Sequence, residues 1–169
     1  TAEYLRSWLG THKNKIAFTT YRQYKNNIEV HIIPALGNVL LQKLHPMQLQ
    51  DFFNTLLASG RKDSTRKHGG ALSSSTVNYV YRILRCALND AVKMRLIARN
   101  PVTDTSPPPQ GHDMPVMLSP TEALTLLKGL EGTYLYQPAY IAVHTGMRLG
   151  EILGLSWDDV DLERGVITV

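Results

Sequence analysis

Between Pro101 and Pro115, five of fifteen residues are proline, in the run Pro-Val-Thr-Asp-Thr-Ser-Pro-Pro-Pro-Gln-Gly-His-Asp-Met-Pro. Proline lacks a backbone N–H and biases the residue before it toward extended conformations, so such a run continues neither a helix nor the interior of a sheet. It divides the 169-residue chain, and residues 101–116 read as a linker between a first domain, 1–100, and a second, 117–169. The charge changes sign at the same place. Thr1 to Ser106 carries 15 Lys/Arg against 6 Asp/Glu and the remainder 3 against 8, which together make the net +4. A basic first part suits a polyanionic partner, most often nucleic acid; a solvated surface with chance imbalance is the other reading, and charge alone leaves both open.

Composition narrows the classes further. With 43% hydrophobic residues the chain is globular in type, and no stretch reaches the roughly 18 continuous apolar residues of a membrane span. Its single cysteine, Cys86, excludes an intrachain disulfide, and the start Thr1-Ala2-Glu3-Tyr4-Leu5-Arg6 has no signal-peptide pattern, so a cytoplasmic protein is expected. The six histidines show no metal-ligand spacing; no metal and no cofactor are expected.

Helical periodicity runs through the first part. Leu5, Trp8 and Leu9 share a face of residues 2–12. A second helix is expected from a Thr19 or Thr20 cap, with Tyr21, Tyr24, Ile28 and Ile32 inward, stopped by Pro34 and Gly37. A third runs from Pro46 to Ser59, with Leu49, Phe52, Phe53, Leu56 and Leu57 inward and Gly60 as terminator. The fourth has Ser73, Ser74 and Ser75 as alternative caps and a stripe of Val77, Val80, Tyr81, Leu84, Ala87, Leu88 and Ala91, ending near Arg95. After the linker, Ser119-Pro120-Thr121-Glu122 signals a helix to about Lys128, and another spans Leu135 to His144. A short helix follows from Arg148 to Leu155, and a turn at Arg164-Gly165 leads into a β-branched strand. Because no partner for that strand follows it, the chain reads as a piece of a longer protein.

The chemistry concentrates in His144-Thr145-Gly146-Met147-Arg148-Leu149-Gly150-Glu151-Ile152-Leu153-Gly154-Leu155-Ser156-Trp157-Asp158-Asp159-Val160-Asp161-Leu162. Gly146 permits a tight turn between helices that sets Arg148 in the first turn of the second, beside free backbone N–H groups. A guanidinium there suits two oxygens of one phosphate. Glu151, three residues on, shares the face and can orient it, while Leu149, Ile152, Leu153 and Leu155 are expected to anchor the helix in a core. By spacing alone, Arg148 and Glu151 read as an exposed ion pair with no further role. His144 precedes the turn and is expected to pack at the helix end.

This segment resembles the motif around the first catalytic arginine of tyrosine recombinases, the phage-type integrase family. Thr145, Gly146, Arg148, Glu151, Leu155, Trp157, Asp158 and Asp161 stand in the matching places. The basic part is similar to the family's core-binding domain in His31-Ile32-Ile33-Pro34-Ala35-Leu36-Gly37, in Ser74-Ser75-Thr76-Val77 and in Leu96-Ile97-Ala98-Arg99-Asn100-Pro101. The resemblance implies a mainly α protein: a four-helix, SAM-like core-binding domain joined by the proline-rich linker to the start of an α+β catalytic domain. It implies duplex DNA attachment sites as partner, a homotetramer of the whole recombinase on DNA, accessory directionality or DNA-bending proteins, and strand cleavage through a 3′-phosphotyrosine. In that reading Arg148 is catalytic and Glu151 supports it. The nucleophilic tyrosine and the other catalytic residues fall downstream, since all eight tyrosines precede Arg148, so the chain alone is expected to be inactive.

DNA contacts are expected from the basic loop carrying Arg61, Lys62, Arg66 and Lys67, and from the outer faces of the second and fourth helices: Lys25, Asn26, Ser74, Ser75, Asn78, Tyr79 and Arg82. Two other readings share these features, a noncatalytic helical DNA-binding regulator and a helical protein-interaction module.

Overall fold

The structure, a computed structural model, describes residues 1–60, 70–109 and 117–168. The chain divides into two compact units, Thr1–Asp113 and Met114–Val169.

In the first unit, α1 (Ala2–His12) follows the amphipathic stripe, burying Leu5, Trp8 and Leu9. α2 (Phe18–Asn27) begins before the expected threonine caps. Ala17 is extended (φ −57°, ψ 146°) and its carbonyl accepts from the Tyr21 N–H at 2.9 Å, so Thr19 and Thr20 lie inside the helix. Nor does Pro34 stop the rod. A π turn at Ile28–Ile32 carries α2 directly into α3 (Ile33–Leu36), and the Ile33 N–H donates to Ile28, five residues back. That widened turn accommodates the proline, which supplies no N–H and would crowd the carbonyl four residues earlier in a regular helix. Gly37 then closes the rod, where a β-carbon would lie 2.4 Å from the Ile33 carbonyl oxygen. The Thr1 backbone nitrogen and hydroxyl donate to the Val39 carbonyl, tying the beginning of α1 to this corner.

α4 (Pro46–Ser59) and α5 (Ser74–Lys93) complete the bundle. Of the three serines Ser73 is the cap, its Oγ accepting from the Thr76 N–H at 3.2 Å. α5 ends two residues before Arg95 in a Schellman closure, with Leu96 N–H on the Ala91 carbonyl and Arg95 N–H on Val92, both 2.9 Å. Arg95 holds the left-handed position (φ +59°) that glycine usually fills. One continuous core joins the four rods, centred on Leu5, Trp8, Ile28, Phe53, Leu84 and Leu88. Trp8 fastens α1 to α5: its indole N–H donates to Asp90 Oδ2 at 2.9 Å and its ring stacks on Tyr24 at 6.0 Å.

The start of the expected linker is packed into the first unit. Pro101–Asp104 forms a 3-10 turn with Pro101 and Val102 buried, held by Asn100, whose Oδ1 accepts from the Val102 N–H at 2.9 Å. A side-chain amide that closes its own turn lets a Pro-containing segment pack as part of a domain.

In the second unit, α6 (Pro120–Leu130) carries the expected capping box between Ser119 and Glu122. It is followed by α7 (Tyr136–Thr145) and α8 (Leu149–Gly154). β1 (Val160–Asp161) and β2 (Val166–Ile167) pair antiparallel across a turn at Arg164-Gly165, Gly165 having φ +64°. The final strand thus finds its partner upstream in a hairpin, which removes the argument that a partner must follow it. Only Leu127 and Ile152 are buried in this unit among the described residues.

Candidate nucleic-acid interface and catalytic arginine

On the first unit, the outer faces of α2 and α5 adjoin where Tyr24 and Tyr79 meet edge to face at 5.9 Å. Around that contact Lys25, Asn26, Ser75 and Arg82 are exposed, and Ser74, Asn78 and Tyr79 half-buried. Ser74 and Ser75 occupy the first turn of α5 just inside its Ser73 cap, where helix N–H groups and dipole favour an anion. Burial and then Tyr24 push the Tyr79 hydroxyl up from its ordinary value, so it is a neutral donor at neutral pH.

Not every basic residue is available. Arg6 is committed to Glu29, with two contacts of 2.8 Å, and Lys93 to Asp90 at 2.9 Å. Among the described residues, Arg22, Lys25, Arg82 and Arg85 have no carboxylate within 4.0 Å. Arg22 and Arg85 were not singled out from sequence. Their signal was spacing: Arg22 stands three residues before Lys25 and Arg85 three after Arg82, each pair on one outer helix stripe. Asn78 differs from its neighbours, since its amide already donates to the Pro108 carbonyl at 3.1 Å. Arg61, Lys62, Arg66 and Lys67 lie outside the described residues.

The arginine corner of the second unit is built from local bonds. Gly146 ends α7 in the left-handed region (φ +69°), which suits a residue with no β-carbon. Thr145 Oγ1 donates to the Ile141 carbonyl at 2.7 Å and accepts from the Met147 N–H at 3.3 Å, bracing the turn. Arg148 follows as the N-cap of α8 (φ −72°, ψ 150°), one position before the expected first turn. A guanidinium has no acceptor and cannot cap a helix. Glu151 compensates: one carboxylate oxygen accepts from the Arg148 backbone N–H at 2.7 Å, the other from its guanidinium at 3.0 Å. The Arg148 side chain is 87% exposed, so its remaining N–H donors face outward.

The expected anchoring is only partly present. Ile152 is buried and Leu155 half-buried, whereas Leu149 and Leu153 are 64% and 70% exposed. Helical spacing marks a shared stripe without specifying that the stripe is covered. His144 packs at the helix end, its ring on Tyr140 at 4.0 Å and its Nδ1 at 2.8 Å from the Tyr140 carbonyl oxygen.

Residues 2–57 match the phage integrase N-terminal SAM-like domain. A tyrosine recombinase XerC-like protein of Caldanaerobacter subterraneus subsp. tengcongensis is 26% identical over 155 residues, 88% of this chain and 35% of the relative. The integrase of Mycobacterium phage L5 is 28% identical over 158 residues, 94% of this chain and 38% of its own. The chain therefore spans about a third of the length of the relatives it matches. In fold it is similar to lambda integrase, solved as a dimer bound to a COC' core site, with TM-score 0.73 at 20% identity over 92% of this chain and 43% of that one. Residues 2–57 thus carry the phage integrase N-terminal SAM-like domain, and along most of its length the chain is similar to tyrosine recombinases and integrases.

Proposed function

We propose that this chain is the DNA-holding and arginine-bearing part of a site-specific recombinase that integrates a phage or other mobile element. The first unit binds duplex DNA through Arg22, Lys25, Asn26, Ser74, Ser75, Tyr79, Arg82 and Arg85, phosphate contacts supplying affinity and register. Arg61, Lys62, Arg66 and Lys67 add further phosphate contacts. In the whole recombinase, a tyrosine hydroxyl supplied from beyond Arg148 attacks a DNA phosphodiester. The hydroxyl proton is lost, the P–O bond to the 5′ oxygen breaks, and a 3′-phosphotyrosine and a free 5′-hydroxyl result. A second strand's hydroxyl reverses the step. Charge spreads over the nonbridging oxygens during both transfers, and Arg148 stabilises it. Glu151 positions the guanidinium. The whole protein works as a homotetramer on attachment-site duplexes in the bacterial cytoplasm, with bending or directionality proteins as partners, and this chain alone forms no covalent adduct.

One observation carries the reading. Arg148 occupies a helix cap that it cannot serve, at a cost of about 1 kcal/mol relative to a serine or aspartate, and presents an exposed guanidinium braced by Glu151. The test is covalent adduct formation on a nicked duplex by a recombinase containing this chain. Arg148→Ala is expected to lower the adduct rate by about 10²–10³ with duplex affinity retained, and Arg148→Lys to recover part of it. An unchanged rate would return Arg148 to the role of a surface ion pair.

A further inference from the structure

The outer face of α2 carries two kinds of side chain. On one flank stand the cations Arg22 and Lys25. Beside them Thr19, Gln23 and Asn26 project within about 80° of one another on a regular helix, an uncharged polar stripe about 10.5 Å long. All three are exposed, and none has a hydrogen-bond partner among the described residues. The amides of Asn27, Asn78 and Asn100 are by contrast spent on the fold, on the carbonyls of Gln23, Pro108 and Arg85 at 2.8, 3.1 and 3.0 Å. An open depression of about 710 Å³ lies over the stripe, with Thr19, Arg22, Gln23, Lys25 and Asn26 in its lining. The one carboxylate in that lining, Glu29, is engaged by Arg6 through two contacts of 2.8 Å. That hydrogen-bonded guanidinium chiefly holds the Glu29 carboxyl below its ordinary value. The depression thus offers a polyanion unpaired cations on one side and neutral carboxamides next to them.

A carboxamide presents a donor and an acceptor side by side, which matches the N6 donor and N7 acceptor that adenine shows in the major groove. That groove admits an α-helix, and a stripe of about 10.5 Å spans about three base pairs at roughly 3.4 Å each. Nothing equivalent stands on α5. Its outer face exposes Ser75, Arg82 and Arg85, while Asn78 is bonded to Pro108 and Asn89 to Asn100. Hydroxyls and cations suit phosphates, which position a protein on DNA without reading its sequence. We propose that Gln23 and Asn26, with Thr19 beside them, are specificity-determining residues that read adenine edges in the major groove, while Arg22 and Lys25 take phosphates at its rim. The assignment rests on the proposed function and adds a division of labour to it: the α2 stripe reads sequence, and the α5 side chains hold the backbone.

The test selects duplexes from a randomised pool with the 169-residue chain and then measures affinity for the preferred sequence. The parent is expected to enrich a run of about three base pairs that contains adenine. Replacing each such adenine by 7-deazaadenine, which has no N7 acceptor, should weaken binding about 5–10-fold at the positions read. Gln23→Ala and Asn26→Ala should each lose the preference at one position, a discrimination of about 5–100-fold. Each should also become indifferent to 7-deazaadenine there, with salt dependence and melting temperature unchanged. Lys25→Ala, in contrast, should weaken all sequences alike and leave the selected run intact. A parent that binds duplex with no sequence preference, or variants that keep the parent's preference, would overturn the assignment and leave DNA holding in place. If a variant fails to fold, the parent's response to 7-deazaadenine decides, and indifference overturns the assignment. Failure of the parent to bind any duplex would sink the functional reading itself and the α2 reading with it.

Discussion

The two units treat their apolar side chains in opposite ways. In the first, a single cluster runs from Leu5 through Phe53 to Val102, with most members almost completely hidden. In the second, only Leu127 and Ile152 are buried among the described residues, and Leu149, Leu153, Trp157 and Leu162 are 64%, 70%, 81% and 78% exposed. Apolar area removed from water is what stabilises a small domain, so the first unit has its own source of stability, whereas the described part of the second buries little beyond the contacts of α7 with α6 and α8. The arginine corner accordingly owes its shape to local bonds from Thr145, Gly146 and Glu151 rather than to packing.

The strongest way to break this comparison is to truncate one large apolar side chain in each unit. Phe53 is fully buried and meets Tyr81 edge to face at 5.5 Å. Phe53→Ala is expected to cost about 3–5 kcal/mol. Leu153→Ala, at an exposed site, should cost less than about 0.5 kcal/mol. Urea unfolding followed by Trp8 fluorescence in a Trp157→Phe background measures the first, and circular dichroism of the whole chain the second. Similar losses in both would mean that the second unit is sealed after all.

A smaller effect is expected at the Asp90 bridge between α1 and α5. The Trp8 indole N–H chiefly, then Lys93 and His12, hold the Asp90 carboxyl below the usual carboxylate value. Its folded value is lower than its unfolded one, so its stabilisation is present above the unfolded value near about 3.9. It is lost as pH falls through the folded value. Asp90→Asn should cost about 1–2 kcal/mol at neutral pH and flatten the stability curve below about pH 4, as read by unfolding at a series of pH values. A variant with the parent's acid sensitivity would remove Asp90 from that role. Smallest, Ser119→Ala breaks the capping box of α6 at about 1 kcal/mol, seen as faster amide exchange confined to the start of that helix; spread of the effect into the first unit would contradict the separation.

Long stripes made the first unit legible. Leu5, Trp8 and Leu9, the phenylalanines of α4 and the α5 stripe all predicted buried faces, because their environment is decided by neighbours on the same helix. Pro34 misled because the π turn that accommodates it depends on a bond five residues back, which no local rule for proline contains. Pro101 misled because Asn100 bonds to Asn89 and Arg85, distant in sequence and adjacent in space. Arg148 and Glu151 were visible as a pair through spacing and resemblance. Their roles as a non-capping cap and its compensating carboxylate required backbone geometry. The exposure of Leu149 and Leu153 could not be read, since periodicity reports a stripe and not what covers it.

The claim that the basic unit holds duplex DNA is tested most directly by titrating the 169-residue chain with duplex across salt concentrations. If Arg22, Lys25, Arg82 and Arg85 each neutralise one phosphate, log Kobs falls linearly with log salt with a slope of about −3.6 or steeper. Lys25→Ala and Arg82→Ala should each reduce that slope by about 1. Binding insensitive to salt, or a slope indifferent to both substitutions, would contradict the account.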